Sequence, residues 1–268
     1  MSRLIVTTSF ALLSIDLVTK AINRIHEGKG LYYGVAQQPD GTLIVAARRR
    51  MISSGAPIEE ERGCLLRFDV NANLKQIIEA PFPLRDLHGI LLLEREIWAT
   101  CSFDNFIAIF DGENWSRWNP LDDDVGAASD IHHYNTIISH ADQIGLVAHN
   151  HGESEYLFFD RQDLSLRFRD RLGRLAHNLW LENDQWFTCS SNEGAIVGSC
   201  GFRKEIGGFI RGYAQLDDGR RIVGINESAE RAERDWTRSK LMIFNSDWTK
   251  SDEISLGDNG MVLDIIEI

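Results

Sequence analysis

The chain has 268 residues, 43% of them hydrophobic and 25% charged, and carries a net charge of −12. Such a length suits one sizeable globular unit. The acidic balance argues against nucleic-acid and anionic-membrane partners, which need Lys and Arg, and no run approaches the roughly 20 apolar residues of a membrane span.

In chain order, residues 3–8, 11–18 and about 21–26 read as three strands. The first eighteen residues superficially resemble a signal peptide. Thr7, Thr8, Ser14 and Asp16 interrupt the apolar run, however, and no small-residue cleavage pattern ends it. The expectation is a soluble, cytoplasmic protein whose single domain spans 1–268.

A second unit opens at Leu31 and turns at Pro39-Asp40-Gly41, a hairpin signal between two β runs. A polar stretch, 48–63, precedes a strand at Cys64–Asp69. The unit at 86–111 follows, then a loop holding Asp122-Asp123-Asp124. Further units occupy 130–160, 175–199 and 209–226. After the charged segment 227–240 come a strand at Leu241–Asn245 and a last run at Gly260–Ile268. Only 227–238 has a composition compatible with more than a turn or two of helix.

These units repeat. His88 and His177 open two of them, and Thr-Cys-Ser recurs at 100–102 and 188–190. Asp-Gly turns recur at 40–41 and 218–219. Unit starts fall near 34, 88, 133, 177, 212 and 260, the spacing expected for four strands per blade of a radial fold. Residues 260–268 look like the first strand of a blade, and 3–26 like the rest of one. Joining them closes a ring without free sheet edges. The predicted fold is all-β, a six-bladed β-propeller, with five or seven blades as alternatives because of the 54-residue interval between the first two starts.

In that architecture each innermost strand lines the axis. The loop that enters it and the loop that leaves the second strand open on one face, so distant residues converge. The entering positions are Tyr33, His88, His133 (or Asn135, two residues on), His177, Arg211 and about Gly260. The leaving positions include Arg48–Arg50, Ser102–Asp104, His149–His151, Ser191–Glu193 and Asn226–Glu227. The segments 48–63 and 227–240 are expected to cover the same rim as partial lids. Trp98, Trp180 and Trp186 read as packing between blades. Cys101 and Cys189 read as small buried hydrophobes.

The chain resembles six-bladed propellers of the gluconolactonase/regucalcin-like group in size and repeat style. That group's metal site uses an acidic residue in a Glu-Gly-Pro opening, which this chain lacks. His133-Tyr134-Asn135-Thr136 and His177-Asn178 are similar to the openings of arylsulfotransferase-like propellers. The pattern His-x-Asn followed by Ala-His-Asn resembles uncharacterised bacterial propellers. The resemblance implies a fold and leaves the reaction open.

The residues imply an enzyme acting on a small, anionic ligand at one end of the axis. Imidazoles from separate blades can hold a divalent metal ion, with His88, His133 and His177 as ligands. They can also act as acid and base, with His133, His149 and His151 in that role. Arg48, Arg50, Tyr33, Asn135 and Arg211 are expected to bind substrate. Metal-assisted hydrolysis leads. The alternatives are a metal-free lyase or isomerase, and a non-catalytic ligand- or protein-binding propeller. With no Gly-rich phosphate loop, no nucleotide cofactor is expected. His132 should face away from the axis in a supporting role.

Overall fold

The structure, a computed structural model, describes residues 3–28, 30–121 and 130–268. The Asp122–Asp124 loop lies outside them. The described strands form six four-stranded sheets, each antiparallel throughout, arranged as a propeller. Blades 1 to 6 are named by their innermost strands: Val262–Glu267, Tyr32–Gln37, Leu87–Leu93, Tyr134–His140, Ala176–Glu182 and Phe209–Gln215. The ring closes as the repeat predicts. Ile5 pairs with Ile266 and Val6 with Ile265, so the last strand becomes the axial strand of the blade begun by Arg3–Thr8.

Stacking explains why these strands are apolar on both faces. Side chains alternate across a strand, and every blade has a neighbour on each side. Leu4 and Val6 therefore pack toward blade 6, and Ile5 toward blade 2. The buried apolar residues fall into six clusters, one for each blade–blade interface. Cys101 and Cys189 are buried within two of them. Trp186 packs at a tilt on Phe158 across blades 4 and 5, with centroids 4.5 Å apart, and Trp180 stacks on Tyr213 across blades 5 and 6, at 3.7 Å. Trp98 lies at the interface of blades 3 and 4.

Two sequence-based boundaries move. The second strand ends at Asp16 rather than residue 18, because the Asp16 carboxylate accepts from the amides of Val18 and Thr19 and turns the chain. The 227–238 segment is not a helix. Only Arg234–Trp236 form a 3₁₀ turn, since tertiary bonds override its propensity. The buried Asp235 carboxylate accepts from the amides of Ile52 and Ser53, at 3.2 and 2.7 Å. These bonds tie the insertion of blade 6 to that of blade 2, and the blade 2 insertion accounts for the long first interval. Among the described residues, no helix is long and apolar enough to cross a membrane.

Candidate functional site

Every innermost strand carries a β-bulge at the same level. The register shifts at Tyr33-Gly34, His88-Gly89, Asn135, Asn178 (just after His177), Arg211-Gly212 and Leu263. A bulge re-aims a side chain, and here six of them surround the axis. Gly34 is required by its neighbour, because a Cβ there would lie 2.5 Å from the carbonyl oxygen of His88. Tyr33, His88, His177 and Arg211 form a partition across the channel, lining a cavity on either side. The upper cavity, about 360 Å³, lies under the two insertions. The lower, about 270 Å³, continues along the axis.

The upper cavity gathers five histidines: His88, His133, His149, His151 and His177. Their rings form a contiguous set, with centroids 4.6 Å apart for His133 and His149 and 5.5 Å for His149 and His177. Hydrogen-bond partners fix the tautomers. His88 Nδ1 lies 2.9 Å from the carbonyl of Asp86, and His177 Nδ1 lies 3.0 Å from that of Leu175. A carbonyl only accepts, so Nδ1 is the protonated nitrogen in both and Nε2 keeps its lone pair. Ser102 Oγ, 3.0 Å from His88 Nδ1, gives its own proton to the carbonyl of Tyr134, at 2.6 Å. Ser191 holds the equivalent place beside His177, at 2.8 Å.

Blade 4 departs from this plan. Asn135 occupies the bulge, donating to the carbonyl of Ala176 at 2.7 Å. His133 stands two residues earlier, where blade 3 has Asp86 and blade 5 Leu175. All three are left-handed, with φ of 50°, 54° and 47°, a conformation uncommon outside glycine that clusters at functional sites. His133 Nδ1 donates to Asp130 Oδ1 at 2.7 Å, which leaves Nε2 as a base oriented by a carboxylate. His149 has the opposite tautomer. Its Nδ1 accepts from the amide of His151 at 3.2 Å, so its Nε2 carries the proton. His151 Nε2 donates to the carbonyl of Asp130 at 2.7 Å.

Burial, reinforced by Arg211, holds His88 and His177 well below the usual imidazole range. Burial, then His133 and His151, pushes His149 down to about 2. All three are neutral at pH 7. His132 lies outside the cavity, stacked on Tyr134 at 5.4 Å.

The arginines divide into two kinds. Arg48 is buried and paired with carboxylates. It meets Glu61 through Nε and Nη2, at 3.0 and 2.8 Å, and Asp86 and the Tyr33 hydroxyl through Nη1, at 2.6 and 3.3 Å. Burial pushes the Asp86 carboxyl up, but Arg48, followed by His133 and Arg211, outweighs it and holds Asp86 below the usual range. Arg211 is equally buried and lies over the Tyr33 ring at 4.5 Å, yet no carboxylate among the described residues is within 4 Å of it. Arg50 donates through Nη2 to the carbonyls of Ser54 and Ala56, while its buried Nε and Nη1 have no partner among the described residues. Arg231 and Arg234 reach in from the blade 6 insertion. The lining thus holds five arginines and two aspartates, Asp86 and Asp130, in a chain of net charge −12.

The structure places Tyr33, Arg48, Arg50, His88, His133, His149, His151, His177 and Arg211 on this one cavity, and Asn135 on the lower one. Asp86, Asp130, Arg231 and Arg234 were not expected from sequence. A faint signal existed for the first two, an acid two residues before His88 and one three residues before His133. The sixth axial position is Leu263 rather than about Gly260.

Among the described residues, two trios bring one ligand atom each within 4.8 Å: His133, His149 and His151, and Asp86, His88 and His133. The expected metal set of His88, His133 and His177 is not brought together, because His177 belongs to neither trio. The donor chemistry suits a cation poorly. In the first trio the lone pair of His149 is engaged by an amide. In the second, Asp86 is paired with Arg48, and the histidine nitrogens facing it, at 3.5 and 3.8 Å, are the protonated Nδ1 atoms.

No protein-family model and no curated protein matches the chain. Solved structures do. A chain of the nidogen/laminin complex is 12% identical over 100% of this chain and 98% of its own, with a TM-score of 0.69. A structure described as a gluconolactonase candidate is 10% identical, covering 90% and 83%, with a TM-score of 0.63. A catalytically inactive His-to-Ala variant of virginiamycin B lyase from Staphylococcus aureus, with quinupristin, is 12% identical, covering 84% and 70%, with a TM-score of 0.55. At these identities the likeness is one of fold. The fold therefore serves enzymes and a protein–protein complex alike.

Proposed function

We propose that the chain is a metal-independent enzyme that moves a proton on a small anionic substrate, in an elimination or an isomerisation. The observation that supports this most is the opposed pair in the upper cavity. His133 offers a bare Nε2 with its Nδ1 proton on Asp130, and His149, at a ring distance of 4.6 Å, offers an Nε2 proton. One neutral imidazole takes a proton and the other gives one. Arg211 would hold the substrate's anionic group and stabilise the charge that develops when the adjacent C–H bond is broken, since a fixed guanidinium in a water-poor site needs no reorganisation. Tyr33 and Arg48 position this machinery, Arg48 by fixing Asp86. That a same-fold lyase is inactivated by one His-to-Ala change is in keeping with a histidine-borne reaction.

The test is solvent-deuterium exchange into a panel of small carboxylic acids, followed by NMR. The expected result is exchange that survives a chelator and disappears in His133→Ala and Asp130→Asn. A second reading, metal-assisted hydrolysis, is supported by the 4.8 Å grouping of His133, His149 and His151. Turnover abolished by chelator and restored by zinc would favour it and overturn the first. Exchange that is indifferent to both variants would favour a non-catalytic propeller.

A further inference from the structure

Resting on the acid–base reading, we infer that the substrate is a small dianion with its two negative groups at opposite ends of an apolar stem. One end sits on Arg211 at the floor of the upper cavity, and the other on Arg50, Arg231 and Arg234 at its mouth. The charge count points to two negative charges. Arg48 with Glu61 and Asp86 forms a cluster of net −1, and Asp130, which accepts from His133 Nδ1, adds −1. The four remaining lining arginines supply +4, which leaves a surplus of about two positive charges in the cavity. A buried guanidinium is costly unless paired, and Arg211 has no carboxylate at hand.

The positions argue for two ends rather than one compact anion. Arg211 stands in the bulge ring and borders both cavities, so it belongs to the floor. Arg50 is held by carbonyls of the blade 2 insertion, with Nε and Nη1 unpartnered. Arg231 and Arg234 come from the blade 6 insertion, which Asp235 binds to the first. The lining also includes the apolar side chains of Phe103, Leu175, Phe209 and Met261, which suit a hydrocarbon stem. The space, about 360 Å³, has room for about a dozen water-sized groups, more than a lone phosphate fills. Planar guanidinium forks match carboxylates in bidentate fashion.

The experiment is calorimetric titration of the full chain at fixed ionic strength with butyrate, with the linear dicarboxylates from malonate to adipate, and with inorganic phosphate. The expected result is one preferred dicarboxylate length, binding at least about tenfold more tightly than butyrate. Arg211→Gln and Arg231→Gln should each bring that dicarboxylate back to the butyrate level. Arg231 is exposed, so its variant keeps the test valid should Arg211→Gln not fold. Butyrate equal to every dicarboxylate, or phosphate binding as tightly as the best of them, would overturn the two-ended dianion. His133-dependent deuterium exchange would in that case leave the acid–base reading standing. No binding by any of these anions would count against both.

Discussion

The two cavities share an axis, a partition and the same six bulged strands, and they differ in how their polar groups are used. In the lower one, Asn178 and Asp264 are bonded from blade to blade. The Asn178 side-chain oxygen accepts from the backbone N–H of Gly212 at 2.9 Å, and the Asn178 backbone N–H donates to Thr136 Oγ1 at 2.9 Å. The Asp264 carboxylate takes the amides of Val35 and Ile265 at 3.1 and 3.0 Å. Gly212, at φ 83°, makes the turn that this network needs. In the upper cavity the backbone is left-handed at Asp86, Asp130, His133, His151 and Leu175, against Asn178 alone among the non-glycine residues lining the lower one, and four of its five arginines have no carboxylate within 4 Å among the described residues. One end of the channel carries the bonds that run between blades, and the other concentrates left-handed backbone and arginines without carboxylate partners.

Substitutions can break that contrast. The largest effect is expected at His133. His133→Ala should lower turnover by about 10²–10⁴-fold in the exchange assay, with a thermal midpoint close to that of the wild type. Next comes Arg48→Ala, read by urea unfolding. It strands Glu61 and Asp86 as buried charges and should cost about 3–5 kcal/mol. Smaller still is Asn178→Ala on the lower side, which should cost about 1–3 kcal/mol for the partners left unpaired and leave dicarboxylate affinity unchanged. A change in affinity there would erase the distinction between the cavities.

The pH dependence sharpens the same comparison. His88, His149 and His177 have folded values lowered below the ordinary imidazole value of about 6.5. Below that pH the unfolded chain binds protons that the folded chain does not. Their stability contribution is therefore present above about pH 6.5 and falls as the pH drops, by up to about 1.4 kcal/mol per pH unit for each group. Asp264 in the lower cavity, pushed up to about 6 by burial, has the opposite sign. Folded Asp264 takes up its proton first, so it opposes the loss with one proton between about pH 6 and its ordinary value near 3.9. Urea midpoints measured from pH 7 to 5 should fall, and fall less steeply in His177→Asn. A flat profile would mean that these imidazoles are not held neutral.

Much of the fold was legible because the repeat is carried by residues that the fold itself requires. Alternating apolar strands, Asp-Gly turns and the Thr-Cys-Ser segments all serve stacking, so they recur in phase. The axial set Tyr33, His88, His177 and Arg211 followed from that phase. His133 was visible as a residue, but its offset from His88 was not, because the offset depends on which residue bulges. Asp86 and Asp130 act through backbone geometry and a carboxylate–imidazole contact, neither of which has a sequence period. Arg231 and Arg234 belong to an insertion placed by a buried Asp235. No local pattern shows that tertiary bond.

The measurement closest to the central claim is the tautomer of each cavity histidine, read from long-range ¹H–¹⁵N correlations at neutral pH and assigned with single His→Gln variants. The expected result is Nδ1–H for His88, His133 and His177, and Nε2–H for His149 and His151, unchanged on adding zinc. An Nδ1–H tautomer at His149, or histidine shifts that move together on adding zinc, would contradict it and turn the cavity into a metal centre.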